Sequence, residues 1–229
     1  ILVAYKQFPA PSVGHAGGES LFVLMEALHR RGHKLTLVSR IREEERRYLP
    51  EVEAICDRVE TVVHHRSRRG PRPMAVARSY LDFRRAVHRT LQDVQPDFMH
   101  VETTQTAAIL LGLKRPAASY RTQDVNWYLQ EQLRLRGEGV GRLMGWGKGH
   151  LFRRLEPWLC RQYELTLTIS EGDRALLAPF LDPERLLLVP LAPALDPDAE
   201  VEPAVEERAN LLFVGAMSRP HNLTGVTWF

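Results

Sequence analysis

The sequence predicts an α/β fold, a Rossmann-like parallel sheet with helices on both faces. Three observations support this prediction. Short apolar runs recur along the chain, helix-like segments separate them, and a glycine pair stands at the first junction between a run and a helix. Runs that are apolar throughout suit strands buried on both faces, and their alternation with helices favours a parallel order.

The elements follow in chain order. Apolar runs predict strands at 1–5, 34–39, 59–63, 97–101, 117–120, 165–170 and 185–190. Amphipathic patterns predict helices within 18–31, 74–94, 103–112, 124–136, 140–163 and 171–179. In the first of these, Leu21, Leu24, Met25 and Leu28 fall at helical spacing. Four glycines between positions 139 and 147 favour a loop there, so we expect the fifth helix to begin at about His150.

The last forty residues differ in composition from the rest. Residues 191–208 are rich in Pro, Ala, Asp and Glu, which predicts an interdomain linker. A new strand at 210–215 and a helix from about Asn222 follow. One strand–helix pair cannot enclose a core. We therefore assign 1–190 to one domain, 191–208 to the linker and 209–229 to the start of a second domain, and we expect the sequence to be a piece of a longer protein.

Composition excludes several classes of protein. A hydrophobic content of 44% and a charged content of 26% are globular values, and a net charge of +3 is too small to predict a nucleic-acid partner. No apolar run reaches the roughly 18 residues of a membrane span. The widely separated Cys56 and Cys160 predict reduced thiols and a cytoplasmic location. Neither they nor the adjacent His64 and His65 have a metal-ligand spacing, so no metal and no other cofactor is expected.

The glycine pair, Gly17 and Gly18, lies between the first strand and the first helix. Glycine allows a ligand to approach the backbone, and a helix N-terminus suits a phosphate. A tight turn that simply needs glycine is the alternative, and the motif alone does not decide between them. The spacing matches neither G-x-G-x-x-G nor G-x-x-x-x-G-K-[ST], which argues against nicotinamide dehydrogenases and P-loop NTPases.

Polar side chains follow three of the predicted strands. Since ligands of open α/β sheets bind outside the carboxyl ends of strands, we expect these residues to line a cleft. They are Glu102, Thr104, Gln105, Arg121, Gln123, Asp124, Asn126, Ser170 and Glu171. Helix capping is the alternative role for Ser170 and Asp124. Arg121 is harder to explain as a cap, and a cation there suits a phosphate or an acidic acceptor.

Several motifs together resemble the N-terminal half of a GT-B-fold glycosyltransferase of the retaining family-4 (group 1) type. They are "GHAGGES" (14–20), "GHKLTLVS" (32–39), "PDFMHVE" (96–102), "YRTQDVNWYLQ" (120–130), "LTLTISEGDRALL" (165–177) and "LLFVGAMSRPHNLTGVTWF" (211–229). Each motif is loose, but their order and spacing are specific and cover nearly the whole chain.

The resemblance implies a function. Such an enzyme moves a sugar from a nucleotide-sugar donor to a glycan or lipid-linked acceptor with retention, without a metal, as in polysaccharide biosynthesis. This chain is then the acceptor-side domain plus the start of the donor-binding domain. Gly17 and Gly18 match the family's loop at the donor diphosphate. His15 in the same loop is either a polar contact near the acceptor or an exposed loop histidine. In the second domain, Gly215 and Arg219 are implied as substrate-binding residues.

The chain departs from the family pattern at the expected histidine, where it has Gln123. Glutamine cannot act as a general base. We therefore expect hydrogen bonding by Gln123, or chemistry that depends on Glu102 or Asp124. Ala216 also replaces an arginine, for which Arg219 is the candidate substitute. Because the family's paired glutamates are not in this sequence, we expect residues 1–229 to be inactive alone.

Two alternative functions stay open: a non-catalytic sugar- or nucleotide-binding module, and a GT-B-like epimerase or phosphorylase. Membrane contact is also open. The basic run 64–73 is either a solvated loop or a contact to an anionic acceptor or lipid. Residues 139–159 mix large apolar residues with Arg and Lys, which is consistent with peripheral binding to the inner face of a membrane.

Overall fold

The structure is a computed structural model that describes residues 1–64, 72–136, 139–191, 213 and 220–228. The chain divides into two compact units, Ile1–Pro193 and Ala194–Phe229. In the second unit the described part is Phe213 and one helix, α8 (Pro220–Trp228), which begins two residues before the predicted start. The predicted strand at 210–215 and nearly all of the predicted linker lie outside the described residues.

The first unit is built on a parallel sheet, which is seven-stranded over the described residues. Its strands are β1 (Leu2–Tyr5), β2 (Thr36–Ile41), β3 (Arg58–Val63), β4 (Met99–Glu102), β5 (Ala118–Arg121), β6 (Leu165–Thr168) and β7 (Leu186–Leu188). They lie in the order β3-β2-β1-β4-β5-β6-β7. Each strand lies within a few residues of its predicted position, and the predicted fold class is confirmed.

Helices cover both faces of the sheet. They are α1 (Ala16–Arg30), α2 (Leu49–Glu53), α3 (Arg72–Val94), α4 (Thr104–Ile109), α5 (Asn126–Arg136), α6 (Gly139–Cys160) and α7 (Glu171–Leu177). Short 3-10 helices lie at Pro11–Val13, Glu43–Tyr48, Ala178–Phe180 and Pro183–Arg185. The helical turns at 43–53 were not predicted, because that stretch is charged and too short to show a period.

Two apolar clusters fill the two sides of the sheet. Alternate residues of each strand point to opposite faces. Val3 and Leu37 pack with Leu21 and Met25 of α1 on one face. On the other face, Leu2, Ala4 and Val38 pack with Phe83 of α3, and Leu159 of α6 joins the same cluster. The central strands β1, β2, β4 and β5 are buried throughout, but only β1 is apolar along its whole length, whereas β2, β4 and β5 also bury polar or charged side chains.

The predicted loop at 139–147 was wrong, since α6 begins at Gly139. Glycine lowers intrinsic helix propensity, but packing against a neighbouring helix outweighs propensity in folded proteins. α6 packs along α5. A Cβ added at Gly149 would lie 3.8 Å from Cβ of Gln130 and 3.9 Å from the carbonyl oxygen of Trp127. Tertiary contact therefore explains a helix that the local sequence argues against.

Candidate functional site

The strand order places the candidate site. It reverses direction between β1 and β4, which are neighbours although they are not consecutive. In open α/β sheets the crevice at such a switch point, outside the carboxyl ends of the strands, is where ligands bind. β1 ends at Tyr5 and β4 at Glu102, which are paired in register. The N-terminus of α1 and the polar ends of β4 and β5 meet at this edge.

The glycine pair is packed against side chains of this edge. His15 caps α1, and its Nδ1 accepts a hydrogen bond from the Gly18 amide at 2.8 Å. A Cβ on Gly18 would overlap the His15 ring, and a Cβ on Gly17 would lie 2.5 Å from Oε1 of Gln123. Close approach of the chain's own side chains thus favours glycine at both positions, whether or not an anion binds there. The anion contact stays a prediction.

Glu102 holds together the side chains that face α1. It is 0% exposed and accepts hydrogen bonds from Nε of Arg121 at 2.9 and 3.0 Å and from Nε2 of Gln123 at 2.8 Å. Its Oε2 also lies 3.1 Å from Nε2 of His100, whose Nδ1 is 2.8 Å from Oγ of Ser119. The carboxylate is sealed inside the protein, so it orients Arg121 and Gln123 from beneath the surface.

Gln123 links this network to the helix. Its Nε2 also donates to the carbonyl oxygen of Gly17 at 3.3 Å. Arg121 is only 1% exposed, and its Nη2 is buried without a hydrogen-bond partner in the described part of the chain. The structure thus brings four predicted site residues together, Gly17, Glu102, Arg121 and Gln123. Their catalytic and substrate-binding roles stay predictions.

A second buried carboxylate, Glu156 of α6, organises the opposite face of the sheet and was missed in the sequence. It is 1% exposed and accepts hydrogen bonds from the amides of Asn126 and Trp127 at 3.1 and 3.3 Å, so it caps α5 from a distant helix. Its Oε1 also accepts from Nδ2 of Asn126 at 2.7 Å and lies 3.4 Å from Oγ1 of Thr104. Burial raises the pKa of the Glu156 carboxyl, against the opposing effect of these hydrogen bonds.

Thr104 and Asn126, both predicted site residues, are joined through this cap. Nδ2 of Asn126 donates to Oγ1 of Thr104 at 2.8 Å, and that hydroxyl lies 2.7 Å from the hydroxyl of Tyr120. Burial raises the pKa of the Tyr120 hydroxyl well above its usual value, so Tyr120 stays protonated. Nothing in local sequence pointed to Glu156, because a charged residue in an amphipathic helix is usually solvated.

Thr103 is strained at the switch point. It has φ 75° and ψ 148°, a conformation that a β-branched residue rarely adopts and that costs about 1–3 kcal/mol. Its amide donates to the carbonyl oxygen of Arg121 at 2.9 Å, and its hydroxyl lies 3.0 Å from that of Thr106. Strain of this kind accumulates at functional sites, and it has no signal in the sequence.

The other predicted site residues make their described contacts outside these networks, apart from Asp124, whose carbonyl oxygen accepts a hydrogen bond from Nδ2 of Asn126 at 3.3 Å. Ser170 caps α7 through a hydrogen bond from the Asp173 amide at 3.0 Å, and Glu171 is an exposed partner of Arg174. Gln105 is exposed and accepts a hydrogen bond from Nζ of Lys6 at 3.0 Å. Asp124 is exposed beside Gln123. The remaining two, Gly215 and Arg219, lie outside the described residues.

Three further findings concern possible metal sites, membrane spans and the two cysteines. Within the described ranges, no group of three or more His, Cys, Asp or Glu side chains could hold a metal ion. None of the described helices combines the length and the apolar character needed to cross a bilayer. Burial raises the pKa of Cys160 and of Cys56 to about 12, so both thiols stay protonated and unreactive at neutral pH.

Comparison with protein families identifies the class. The profile of the glycosyl transferase 4-like domain matches residues 18–192, which is well over half of the chain. The chain therefore belongs to the glycosyl transferase 4-like domain family. This confirms the resemblance to family-4 glycosyltransferases. The comparison with curated proteins gives no match.

Solved structures that resemble the chain are distant. UDP-GlcNAc 2-epimerase from Neisseria meningitidis bound to UDP-GlcNAc is 14% identical, with a TM-score of 0.45 over 82% of this chain and 46% of that one. The glycotransferase of kitacinnamycin is 16% identical, with a TM-score of 0.41 over 89% and 55%. Another UDP-N-acetylglucosamine 2-epimerase is 12% identical, with a TM-score of 0.43 over 81% and 46%. The chain thus spans about half the length of these proteins.

Proposed function

We propose that the chain is the acceptor-side part of a glycosyltransferase that moves a sugar from a nucleotide-sugar donor, with retention, to a glycan or lipid-linked acceptor. Family membership supports the reaction class. The proposed substrate site rests on one observation: the N-terminus of α1 meets polar side chains that follow β4 and β5 at the switch point. This is the place where an open α/β sheet binds ligands.

The donor diphosphate binds at the N-terminus of α1. Among the described hydrogen bonds, the amides of Ala16 and Gly17 donate none, while the next amide is taken by His15. Two free amides at a helix N-terminus are suited to an anion. Negative charge develops on the leaving diphosphate in a glycosyl transfer, and fixed N–H donors stabilise that charge without reorganisation.

The three predicted catalytic residues then have different roles. Glu102 cannot reach a substrate because it is 0% exposed, so it acts by positioning Arg121 and Gln123. Gln123 holds the glycine pair against β4 and supplies hydrogen bonds in place of a base. Asp124 is the exposed carboxylate of the three and is the candidate to contact the acceptor.

A proline substitution tests the diphosphate contact. Ala16 is the first residue of α1, where proline is tolerated, and His15 before it is extended (φ −129°, ψ 127°), as proline requires. Ala16→Pro therefore removes one free N–H while it keeps the helix, and Ala16→Ser keeps the N–H as a control. In the full-length protein we expect Ala16→Pro to weaken donor binding by about tenfold or more.

Donor binding and turnover are measured with a panel of UDP- and GDP-sugars by calorimetry and by release of the nucleoside diphosphate. Sugar transfer that Ala16→Pro lowers and Ala16→Ser preserves supports the proposal. Equal donor affinity in the two variants would refute the α1 contact. Residues 1–229 alone should not transfer sugar, because in related enzymes the paired glutamates belong to the second domain.

A membrane-associated acceptor is part of the proposal. Leu151, Leu155 and Trp158 of α6 are 56%, 44% and 47% exposed, at a spacing that puts them on one helix face. Arg153 and Arg154 are exposed beside them. Vesicle sedimentation tests this, with phosphatidylcholine alone against phosphatidylcholine containing about a quarter phosphatidylglycerol. Binding to the anionic vesicles that is lost on Trp158→Ser supports it, and no binding to either refutes it.

One observation favours a second candidate, a non-catalytic sugar- or nucleotide-binding module. Gln123 replaces the family's histidine, and the neighbouring carboxylate of Glu102 is buried. Neither side chain can exchange a proton with a substrate. Donor binding without turnover by the folded full-length protein would favour this module over the transferase.

A further inference from the structure

Two buried arginines at the carboxyl edge of the sheet have opposite surroundings. Arg121 is 1% exposed and is paired with Glu102 at 2.9 Å. Arg40 of β2 is 7% exposed, and within the described residues its side chain has no ion pair and no hydrogen bond, with Nε buried. A buried cation without an anion is costly, so buried charges in proteins are normally paired. Arg40 is therefore the exception that needs an explanation.

The contact that Arg40 does make leaves its charge unneutralised. Its guanidinium carbon lies 4.2 Å from the ring centroid of Tyr80 in α3. A cation–π contact attracts the guanidinium to the ring but supplies no anion and no in-plane acceptor for its N–H groups. Nε of Arg40 is buried without a hydrogen-bond partner among the described residues, so this N–H stays available to an acceptor. The cation is thus held against Tyr80 but still lacks an anion.

A second cation stands next to Arg40. Lys6 directly follows β1, and since Tyr5 pairs with Ser39, it lies beside Arg40 in the continuation of the register. Burial and the charge of Arg40 lower the pKa of Lys6. The described hydrogen bond of its ammonium group is to the neutral amide oxygen of Gln105, at 3.0 Å. Two neighbouring cations thus share a partly buried position, and no carboxylate among the described residues pairs with either.

We propose that Arg40 and Lys6 form a binding site for a phosphate monoester group. A guanidinium fork and an ammonium group together match the charge and the several acceptor oxygens of a phosphate dianion. The site is separate from the α1 N-terminus. Arg40 packs on α3, which covers the opposite face of the sheet from α1.

We assign the phosphate group to the acceptor substrate. This assignment rests on the proposed function, whereas the phosphate site itself does not. If the α1 N-terminus takes the donor diphosphate, a phosphate on the other face of the sheet belongs to the second substrate. The enzyme would then select acceptors that carry a phosphate.

The site is tested by NMR on the ¹⁵N-labelled full chain, with inorganic phosphate as the probe. The Nε–Hε signal of Arg40 is assigned from its loss in Arg40→Lys. At constant ionic strength, phosphate should shift this signal in a saturable way. Lys6→Gln should weaken the binding about tenfold or more. Arg30→Gln, which removes a 72% exposed cation, should leave it unchanged.

Three results would overturn the site. They are no saturable shift, an equal shift with acetate, and loss of the shift in Ala16→Pro, which would place the ion at the helix N-terminus. If Arg40→Lys does not fold, the signal is assigned in the wild type from its nuclear Overhauser contacts to the Tyr80 ring, and wild type and Lys6→Gln then decide the question. The phosphate titration stays interpretable even if the chain is not part of a glycosyltransferase, because the titration uses no donor and measures no turnover. The active full-length protein is then compared on a phosphorylated and a dephosphorylated acceptor. A preference for the phosphorylated acceptor that is lost in Lys6→Gln would show that the acceptor carries the phosphate. Equal activity on the two acceptors would refute that assignment.

Discussion

Replacing Glu102 by glutamine is the most direct test of the site's architecture. The change keeps the shape of the side chain but removes its charge and puts N–H groups where an oxygen accepts hydrogen bonds. Both Glu102 oxygens accept from Nε of Arg121, at 2.9 and 3.0 Å, and both side chains are almost fully buried. The guanidinium would be left inside the protein without an anion.

The expected magnitude follows from that burial. Breaking a buried ion pair by neutralising one partner costs about 3–5 kcal/mol, because the other charge stays desolvated. For a domain of this size, each kcal/mol lowers the melting temperature by about 2–4 °C. Glu102→Gln should therefore lower the melting temperature by roughly 6–20 °C. Glu26→Gln is the matched control: its partner Arg30 is 72% exposed, and such surface pairs contribute only about 0–1 kcal/mol.

Urea denaturation followed by circular dichroism gives the free energy of unfolding of each variant. A double variant separates charge from shape. Glu102→Leu with Arg121→Met removes both charges, so it should be more stable than Glu102→Gln. A loss below about 1 kcal/mol for Glu102→Gln, with an unchanged denaturant slope, would refute the reasoning.

The remaining predictions concern the second carboxylate and two glycines. Burial raises the pKa of Glu156 in the folded state, so the unfolded chain releases this proton at a lower pH than the folded chain does. The stability of the wild type should therefore fall, relative to Glu156→Gln, as the pH rises from the ordinary pKa of 4.5 through the raised pKa. Melting curves of both proteins across that pH range check the sign. Gly17→Ala forces Gln123 away from its hydrogen bonds and should cost about 1–3 kcal/mol, most of it recovered in a Gln123→Ala background; an equal cost in both backgrounds would contradict the clash. Gly149→Ala should stabilise the fold by about 0.5–1 kcal/mol in urea titrations, since Gly149 lies inside α6 and an added Cβ would meet Gln130 and Trp127 of α5 only at ordinary contact distances; a destabilised variant would show that α5 and α6 leave no room for a methyl group.

The fold could be predicted because its signals are local and repeated. A strand such as β1 is apolar along its length since both of its faces are buried, and α1 shows its one apolar face at helical spacing. The prediction for the start of α6 was wrong because the deciding contacts are not local. Its glycines argue against a helix, and the α5 surface that compensates for them comes from another part of the chain.

The candidate site was only partly predictable. Chain topology gathers the residues after β4 and β5 at one edge, so Glu102, Gln123 and Asn126 were found from their positions alone. Depth is set by packing, and the sequence does not reveal that Glu102 is sealed beneath Gln123. Glu156 lies about thirty positions from the helix it caps. Arg40 could have been noticed in the sequence, because a charged residue stands there between Ser39 and Ile41 of β2. The predicted strand, however, ended at Ser39, one residue before it.

The two buried carboxylates position polar groups on opposite faces of the sheet at its carboxyl edge. Glu102 fixes Gln123 against the α1 glycines on one face, and Glu156 fixes Asn126 and the start of α5 on the other. Strained Thr103 stands between them at the switch point. Groups held in this way need little reorganisation when a ligand arrives, which is the condition for electrostatic stabilisation of developing charge. Loss of either carboxylate should therefore act through the position of its partners, so that stability and ligand affinity fall together.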